Sequence, residues 1–234
     1  MLAKKGGGVM RTPGSIALTS ALRSQRRTMI DAATLAFLKE QPAAALTFKA
    51  LEQLTGLNRR ALLRVVHSKA ELLIAVWWTE YERWCSALVK AMVPYNEDKI
   101  RQLLIRYIRD EPAFHHLRAA LYPVILPALS ARLRTDWQAR FDQLSAKTGA
   151  ELDAGVTWLV PGDGIGLVAV IEGALAAEQT RITFINVGDP PPDVHLEWVT
   201  RFVLAALAGL QSQAPRRKTA AAKHRLSKWG SATP

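Results

Sequence analysis

The stretch TGLNRRALLRVVHSKAELL, residues 55–73, is the most informative part of this sequence. It places Gly56 after one apolar segment and follows it with three arginines and a histidine. Over 59–67, apolar and basic positions recur at intervals of three and four residues, which predicts a helix with two unlike faces. One face carries Ala61, Leu62, Val65 and Val66, and the opposite face carries Arg60, Leu63, Arg64 and His67. We therefore expect a short helix that packs through one face and presents positive charge on the other.

A second short helix is predicted just before this one, in LTFKALEQLTG. Thr47 can cap its N-terminus, and Gly56 supplies the left-handed conformation that a tight turn requires. Asn58 can cap the basic helix in the same way as Thr47. The side chains expected to pack between the two helices are Phe48, Leu51, Leu54 and Leu57. This arrangement predicts a helix-turn-helix, and the alternative is a solvated basic face on a small helical bundle.

The positive charge of the chain is concentrated at its two ends. The net charge is +11 over 234 residues. Residues 1–69 carry 12 Lys/Arg and 3 Asp/Glu, residues 70–214 carry 13 and 17, and residues 215–234 carry 6 and none. A basic balance of this size favours nucleic acid, an anionic membrane surface or an acidic protein as a partner.

The spacing of apolar residues predicts an all-α protein. An opening helix in RRTMIDAATLAFLKEQP stops at Pro42, and a capping box of Ser68 and Glu71 opens a long helix that ends near Met92. Further helices are predicted over 97–109, 113–134, 135–148, 163–181 and 192–211. Only 180–187 has the alternation of a strand, and we discount it as an isolated segment.

Several classes of site find no support in the sequence. The single cysteine, Cys85, excludes an internal disulfide and a multi-cysteine zinc site. The glycines of PGDGIG lack dinucleotide-binding spacing, and the adjacent His115 and His116 would diverge on a helix. No apolar run approaches the roughly 18 residues that span a bilayer. We expect no enzyme activity, no cofactor, no metal and no membrane span, and a cytoplasmic location.

Residues 24–76 resemble the DNA-binding domain of the TetR family of transcriptional repressors. The matching features are Ala32-Ala33 in the opening helix, Thr47, Gly56, Ser68-Lys69 and Leu72-Leu73. This chain departs from the family pattern at Glu52, where alanine is usual, at Leu63, where tyrosine is frequent, and at Val66, where an aromatic residue is frequent. The departures leave the expected fold unchanged and the operator sequence open.

The resemblance implies that residues 23–70 form a domain that binds double-stranded DNA, with the basic helix in the major groove. Arginines on that helix are then expected to contact guanine edges, Arg60 foremost, while Lys69 and the start of the preceding helix contact phosphates. Leu63 would meet a thymine methyl group or a sugar. The candidate DNA-binding residues are Thr47, Lys49, Asn58, Arg59, Arg60, Leu63, Arg64, His67 and Lys69.

Residues 71–212, which follow the DNA-binding domain, are expected to form a ligand-binding and dimerisation domain. A flexible basic arm (1–22) is expected before the DNA-binding domain, and a flexible basic tail (213–234) at the end. Small residues in GIGLVAVIEGALAAEQ and an apolar stripe in HLEWVTRFVLAALAGL predict a four-helix dimer interface. The candidate interface residues are Gly166, Ala169, Val170, Gly173, Ala177, Leu196, Val199, Val203 and Leu210. The alternative is a buried helix pair within one subunit.

A dense group of aromatic residues follows the basic segment and predicts an effector pocket. The candidate ligand-binding residues are Trp77, Tyr81, Trp84, Phe114, His115, Tyr122, Trp137, Trp158 and Glu172. Aromatic rings beside the carboxylate of Glu172 favour a flat or cationic ligand. The alternative for each aromatic position is ordinary core packing.

These features lead us to expect a ligand-responsive transcriptional repressor. The resemblance implies a homodimer on a palindromic operator, whose two basic helices leave their spacing of about 34–36 Å when ligand shifts the long helix. The expected partners are double-stranded DNA, a second copy of the chain and an unidentified small-molecule effector. The alternative function is that of an architectural protein that binds DNA without sequence preference through its basic ends.

Overall fold

The computed structural model of the chain describes the backbone of residues 13–185 and 193–230, and the side chains of residues 20–176 and 197–220. Within these ranges every regular element is a helix, which confirms the predicted all-α class. The candidate strand 180–187 is helical as far as Ile185, where its description ends. None of the described helices is both long enough and apolar enough to cross a bilayer.

The helices are numbered here in chain order. They are α1 (Pro13–Glu40), α2 (Phe48–Thr55), α3 (Arg59–Leu63), α4 (Lys69–Met92), α5 (Glu97–Arg109), α6 (Pro112–Ala120), α7 (Leu126–Ala128), α8 (Ala131–Gly155), α9 (Asp163–Ile185) and α10 (Asp193–Gly230). A 3₁₀ turn, Ala43–Ala45, lies between α1 and α2, and a π-helical turn, Leu121–Ile125, lies between α6 and α7.

Local hydrogen bonds explain where α2, α3 and α4 begin. Thr47, Asn58 and Ser68 each accept, through a side-chain oxygen, from the backbone N–H three residues later, at 3.1, 2.9 and 3.1 Å. Gly56 ends α2 with a φ of 68°, in the left-handed region. These four positions confirm the predictions, because capping depends on residues within one helical turn of each other. Loss of such a cap typically costs ~1 kcal/mol.

Helix α4 is the central helix of the core. It packs against α1, α5, α6 and α8, and its largest buried side chains are those of Trp77, Tyr81, Trp84 and Leu88. Burying one large apolar side chain contributes roughly 1.5–3 kcal/mol. One continuous apolar cluster extends from α1 through α4 to α10, so the N-terminal helices and the remainder of the chain share a core.

The predicted helix 113–134 is interrupted in the structure. Pro123 and Pro127 have no backbone N–H to continue the helical hydrogen bonds, and the chain passes through the π-helical turn and the short α7 instead. Ser130 then caps α8 by accepting from a backbone N–H at 3.3 Å. Helix α8 extends beyond the predicted 135–148 at both ends.

Much of both basic ends, where the sequence analysis predicts a flexible arm and a flexible tail, is helical in the described residues. Helix α1 begins at Pro13, inside the predicted arm 1–22, and α10 continues through most of the predicted tail to Gly230. Residues 1–12 and 231–234 lie outside the described part of the chain.

Contacts with the α8–α9 region explain why α10 continues past the predicted boundary. Ala214 is buried, and the guanidinium of Arg217 is paired with the carboxylate of Asp163. Lys218 Nζ donates to the carbonyl oxygen of Thr157 at 2.5 Å. These partners are more than 50 positions away in the sequence, so the local pattern of the tail did not indicate them.

Candidate functional site

Helices α2 and α3 pack through a shared apolar side. Leu51 of α2 and Leu62 of α3 are buried, as is Val66 in the turn that follows α3. The left-handed conformation of Gly56 brings the two helices together. The prediction that Leu54 packs between them is wrong, since it lies in the last turn of α2 with 52% of its surface exposed.

The outer side of α3 presents a basic face to solvent. Helix α3 ends at Leu63, earlier than the predicted 59–67, but the four outward positions remain exposed as predicted. They are Arg60, Leu63, Arg64 and His67. Arg59 lies over the ring of Phe48 at 5.4 Å, a cation–π contact that holds this side chain against α2. Thr47 and Lys49, at the start of α2, are also exposed.

Helix α1 adds a cation beside the basic face that the sequence analysis missed. The guanidinium of Arg23 donates to the backbone carbonyl of Arg64 at 3.2 Å. The segment RSQRR shows in the sequence that α1 is basic, but nothing local places Arg23 against the end of α3. The basic surface is therefore built by α1, α2 and α3 together.

Lys69 has a structural role that differs from the predicted phosphate contact. Its Nζ donates to the backbone carbonyls of Ala44 and Leu46 at 2.9 and 3.0 Å. These carbonyls lie in the connection between α1 and α2, so the side chain ties the start of α4 to that connection. Two of the three ammonium hydrogens are used internally.

A stack of aromatic rings joins α4 and α8. Trp77 stacks on Tyr81 with ring centroids 4.6 Å apart, and Phe141 stacks on Tyr81 at 5.4 Å and on Trp137 at 5.3 Å. Three of these four residues were predicted as ligand-binding residues, and Phe141 was missed. We call this set, Trp77, Tyr81, Trp137 and Phe141, the α4–α8 aromatic cluster.

The other predicted ligand-binding residues do not form one site with this cluster. Trp84 and Phe114 pack around Tyr107, with ring centroids 4.5 and 5.4 Å from it. Trp158 packs on Tyr95 at 5.3 Å, apart from both groups. The contacts of Trp84, Phe114 and Trp158 are those of ordinary core packing, which is the alternative stated in the sequence analysis.

Two further predicted ligand-binding residues differ in their exposure to solvent. His115 is buried in α6. Tyr122 is 65% exposed and lies edge-on to Trp137 at 6.4 Å, at the solvent side of the α4–α8 aromatic cluster.

Glu172 is bound to an internal cation. Its carboxylate is 2.5 Å from the guanidinium of Arg118, which is 10% exposed, and it also accepts from Trp84 Nε1 at 2.9 Å. Arg118 in turn lies over the ring of Phe114 at 5.4 Å. The hypothesis that Glu172 attracts a cationic ligand is therefore corrected, because Arg118 of α6 occupies that role. Arg118 and Glu172 are 54 positions apart in the sequence, and nothing local indicated their contact.

The single cysteine is unsuited to nucleophilic chemistry. Burial raises the pKa of the Cys85 thiol to about 11, so the thiol is protonated at neutral pH. Among the described residues, no group of three or more His, Cys, Asp or Glu side chains could hold a metal ion.

An exposed apolar strip runs across α9 and α10. On α9, the predicted interface residues Gly166, Ala169, Val170 and Gly173 are all exposed. On α10, Trp198 and Phe202 are 51% and 47% exposed, with their rings stacked at 5.7 Å. A groove of about 450 Å³ lies between the two helices. The residues that line it are Gly162, Asp163, Gly166, Leu167, Val170, Ala206, Gly209, Leu210 and Gln213.

The predicted interface stripe of α10 is corrected. Val199 and Val203 are fully buried, because that side of α10 packs on α5 and α9 within the subunit. Leu210 is partly buried against the same core. The exposed side, with Trp198 and Phe202, was not predicted. The side chains of Ala177 and Leu196, two other predicted interface residues, lie outside the described residues.

No protein-family model matches this chain, and no curated protein sequence is significantly similar to it. A function for this chain can therefore be inferred only from the geometry of its own residues, above all from the basic face and the α9–α10 strip.

Proposed function

We propose that this protein is a DNA-binding transcriptional regulator of the TetR type, which binds a palindromic operator as a homodimer and releases it when a small molecule binds. The observation that carries the proposal is the basic outer face of α3. This face follows a tight glycine turn and lies beside exposed polar residues of α2.

The chemistry of the basic face suits the major groove of DNA, which is about 12 Å wide and admits one helix. The guanidinium groups of Arg60 and Arg64 can each donate two hydrogen bonds to the edge of a guanine, and Leu63 between them can meet a thymine methyl group. Thr47, Lys49 and Arg23 lie around this face and suit phosphate contacts.

A dimer would place two such faces on successive major grooves. The exposed strip of α9 and α10 offers small residues on one helix and large rings on the other, which is suited to close packing against a second copy. Operator half-sites would then be separated by about 34–36 Å or a multiple of it.

The basic ends favour a second candidate, a protein that coats DNA without sequence preference. Residues 1–69 carry 12 Lys/Arg against 3 Asp/Glu, and residues 215–234 carry 6 against none. Charge of this kind binds phosphate irrespective of sequence, and the resulting affinity falls steeply as salt rises.

Selection of bound sequences from a pool of randomised double-stranded DNA tests both candidates. The regulator proposal expects enrichment of an inverted repeat, and binding to it that survives competitor DNA at near-physiological salt. Binding that enriches no sequence and disappears as salt rises would instead support the architectural candidate.

Matched arginine variants refine this test. We expect Arg60→Ala to weaken binding to the selected operator by about 1–3 kcal/mol, because it removes a direct contact to a base. Arg134→Ala removes the same charge from an exposed site on α8 and should have little effect. Equal losses in the two variants would contradict a role for α3 in reading bases.

A further inference from the structure

The last part of α10, which we call the α10 basic segment (residues 215–230), is attached at the end of the protein opposite the basic face of α3. Lys218 Nζ donates to the carbonyl oxygen of Thr157, and the neighbouring Trp158 packs on Tyr95 at 5.3 Å. Tyr95 follows the last turn of α4, whereas the basic face lies just before the first turn of α4. Helix α4 has 24 residues, so about 36 Å separates the two basic regions.

Helices α9 and α10 are antiparallel to each other. They line a common groove, α9 with residues between 162 and 170 and α10 with residues between 206 and 213. Beyond the groove, α10 reaches the start of α9, where the guanidinium of Arg217 pairs with the carboxylate of Asp163. As the chain of α10 advances, it therefore moves from the interior of α9 toward the first residue of α9.

The direction of α4 shows where α10 leads. Asp163, at the start of α9, lies with Arg217 near the end of α4, whereas Glu172, further along α9, accepts from Trp84 Nε1 within α4 at 2.9 Å. Helix α9 is therefore antiparallel to α4, and α10 is parallel to α4. The last helical residues of α10, 219–230, continue for about 18 Å in the direction away from α3.

The two basic regions are separated by a part of the chain with the opposite charge. Residues 70–214 carry 13 Lys/Arg and 17 Asp/Glu, whereas the α10 basic segment carries 6 Lys/Arg and no Asp/Glu. Arg216 is exposed, and Lys223, Arg225 and Lys228 follow on helical backbone. A duplex bound at α3 lies at the other end of α4, so this second concentration of charge is placed for a different anion.

The composition of the α10 basic segment favours nucleic acid over a membrane surface. A helix that lies on a membrane needs a face of large apolar side chains, and the only large apolar residues of this segment are Leu226 and Trp229. Residues 216–218 are all basic, and successive helical positions differ by about 100°, so their charge covers more than half of the circumference. Charge distributed in this way suits the phosphates on both sides of a DNA groove.

We propose that the α10 basic segment binds the phosphates of a second DNA duplex, separate from the duplex at α3, so that the protein joins two duplexes. Contacts to phosphates carry no sequence information, so the second duplex can have any sequence. The joining of two duplexes rests on the proposed function for the duplex at α3. Binding of DNA by the α10 basic segment does not depend on it.

A capture assay with the full chain measures the joining of two duplexes. The selected operator is immobilised and loaded with protein, unbound protein is washed away, and a fluorescent duplex of unrelated sequence is added. We expect the parent to retain this second duplex. A variant with Lys223→Gln, Arg225→Gln and Lys228→Gln should bind the operator as the parent does and retain about tenfold less of the second duplex. No retention by the parent, or unchanged retention by the variant, would overturn the proposal.

A matched control removes the same charge elsewhere. Lys90, Lys99 and Lys147 are exposed lysines on α4, α5 and α8, outside both basic regions. Their joint substitution by glutamine should leave retention unchanged, and a loss equal to that of the segment variant would contradict a specific role for α10. Circular dichroism establishes that each variant is folded, which glutamine favours because it is a good helix former.

Vesicles of phosphatidylserine and phosphatidylcholine test the membrane alternative. The proposal expects the parent to retain the second duplex and to remain in the supernatant when the vesicles are sedimented at near-physiological salt. Sedimentation of the parent with the vesicles, together with no retention of the second duplex, would overturn the proposal in favour of a membrane partner.

Variants without the α3 arginines separate this inference from the proposed function. Arg60→Gln with Arg64→Gln should lose the operator and keep a salt-dependent affinity for duplexes of any sequence. Adding the three segment substitutions should lower the slope of log affinity against log salt by about 2–3. If no operator is selected but this decrease is seen, the proposed function alone fails. If an operator is selected but the slope is unchanged, the inference alone fails.

Discussion

At the scale of single residues, hydrogen bonds to the backbone assign roles that residue type alone leaves ambiguous. Lys69 is a cation at the start of a helix close to a basic face, which is the usual setting for a phosphate contact. Its ammonium group instead donates to Ala44 and Leu46. Lys69 therefore contributes to the position of α4 relative to the connection between α1 and α2.

We expect Lys69→Ala to lower the free energy of unfolding by about 1–2 kcal/mol, because two backbone carbonyls lose a charged donor. Lys90→Ala, at an exposed site on the same helix, should change it by less than about 0.5 kcal/mol. Urea denaturation measures both. If Lys69→Ala were as stable as the parent but bound the selected operator less tightly, the result would contradict the structural role and support a phosphate contact by Lys69.

Cys85 gives a prediction about pH. Burial raises its pKa from 9.0 to about 11, so the folded chain keeps this proton over a range of pH in which the unfolded chain loses it. Stability should therefore fall as pH rises from about 9 to 11. Buried tyrosines add to this fall, so the specific expectation is a shallower decline in Cys85→Ala, measured by urea denaturation at several pH values. An identical slope in parent and variant would contradict the assignment.

At the scale of elements, tertiary contacts set the length of a helix that local sequence leaves undecided. Helix α10 continues past Ala214 because this residue is buried and because Arg217 and Lys218 bind groups near the start of α9. The interruption of the predicted helix at Pro123 and Pro127 has a local cause instead, because these residues lack the backbone N–H groups that continue a helix.

Substitution at Ala214 tests whether this part of α10 is packed. Ala214→Asp should lower the free energy of unfolding by about 2 kcal/mol or more, because it introduces a charge at a buried site. Gln211→Asp places the same charge three residues earlier on the exposed side of the helix and should have a small effect. Thermal unfolding followed by circular dichroism compares them, and equal melting temperatures would show that residues beyond 213 are not packed.

At the scale of the whole molecule, the proposed dimer needs an exposed apolar surface, and the α9–α10 strip provides one. Trp198 and Phe202 of α10 form a stacked pair that is about half exposed, and the small residues of α9 are exposed as well. Large exposed rings beside a groove are typical of surfaces that bind another protein. The basic face of α3 is the other surface that the proposed function requires.

We expect Trp198→Asp to shift the protein from dimer to monomer, since it replaces the largest exposed ring of the strip with a charge. Operator affinity should fall when dimerisation is lost, because the single basic face of a monomer makes half of the contacts. Tyr122→Asp is the control, because Tyr122 is also an exposed ring but lies in the turn between α6 and α7, outside both the strip and the basic face. Sedimentation measures the mass of each protein, and a parent that is monomeric at micromolar concentration would contradict the dimer.

The sequence by itself determined the all-α class, the helix caps at Thr47, Asn58 and Ser68, the turn at Gly56 and the outward basic face of α3. Each of these depends on residues within a few positions of one another, and capping, glycine turns and helical periodicity are interactions of that range. The exposed small residues of α9 were predictable for the same reason.

Only the tertiary structure decided which side of α10 is buried, where Lys69 donates and which cation faces Glu172. Val199 and Trp198 are adjacent and both apolar, and the positions of α5 and α9 determine which of them enters the core. Arg118 meets Glu172 across 54 positions, and Lys69 reaches Leu46 across 23. Contacts between residues so far apart are set by how helices pack, and no local pattern carries that information.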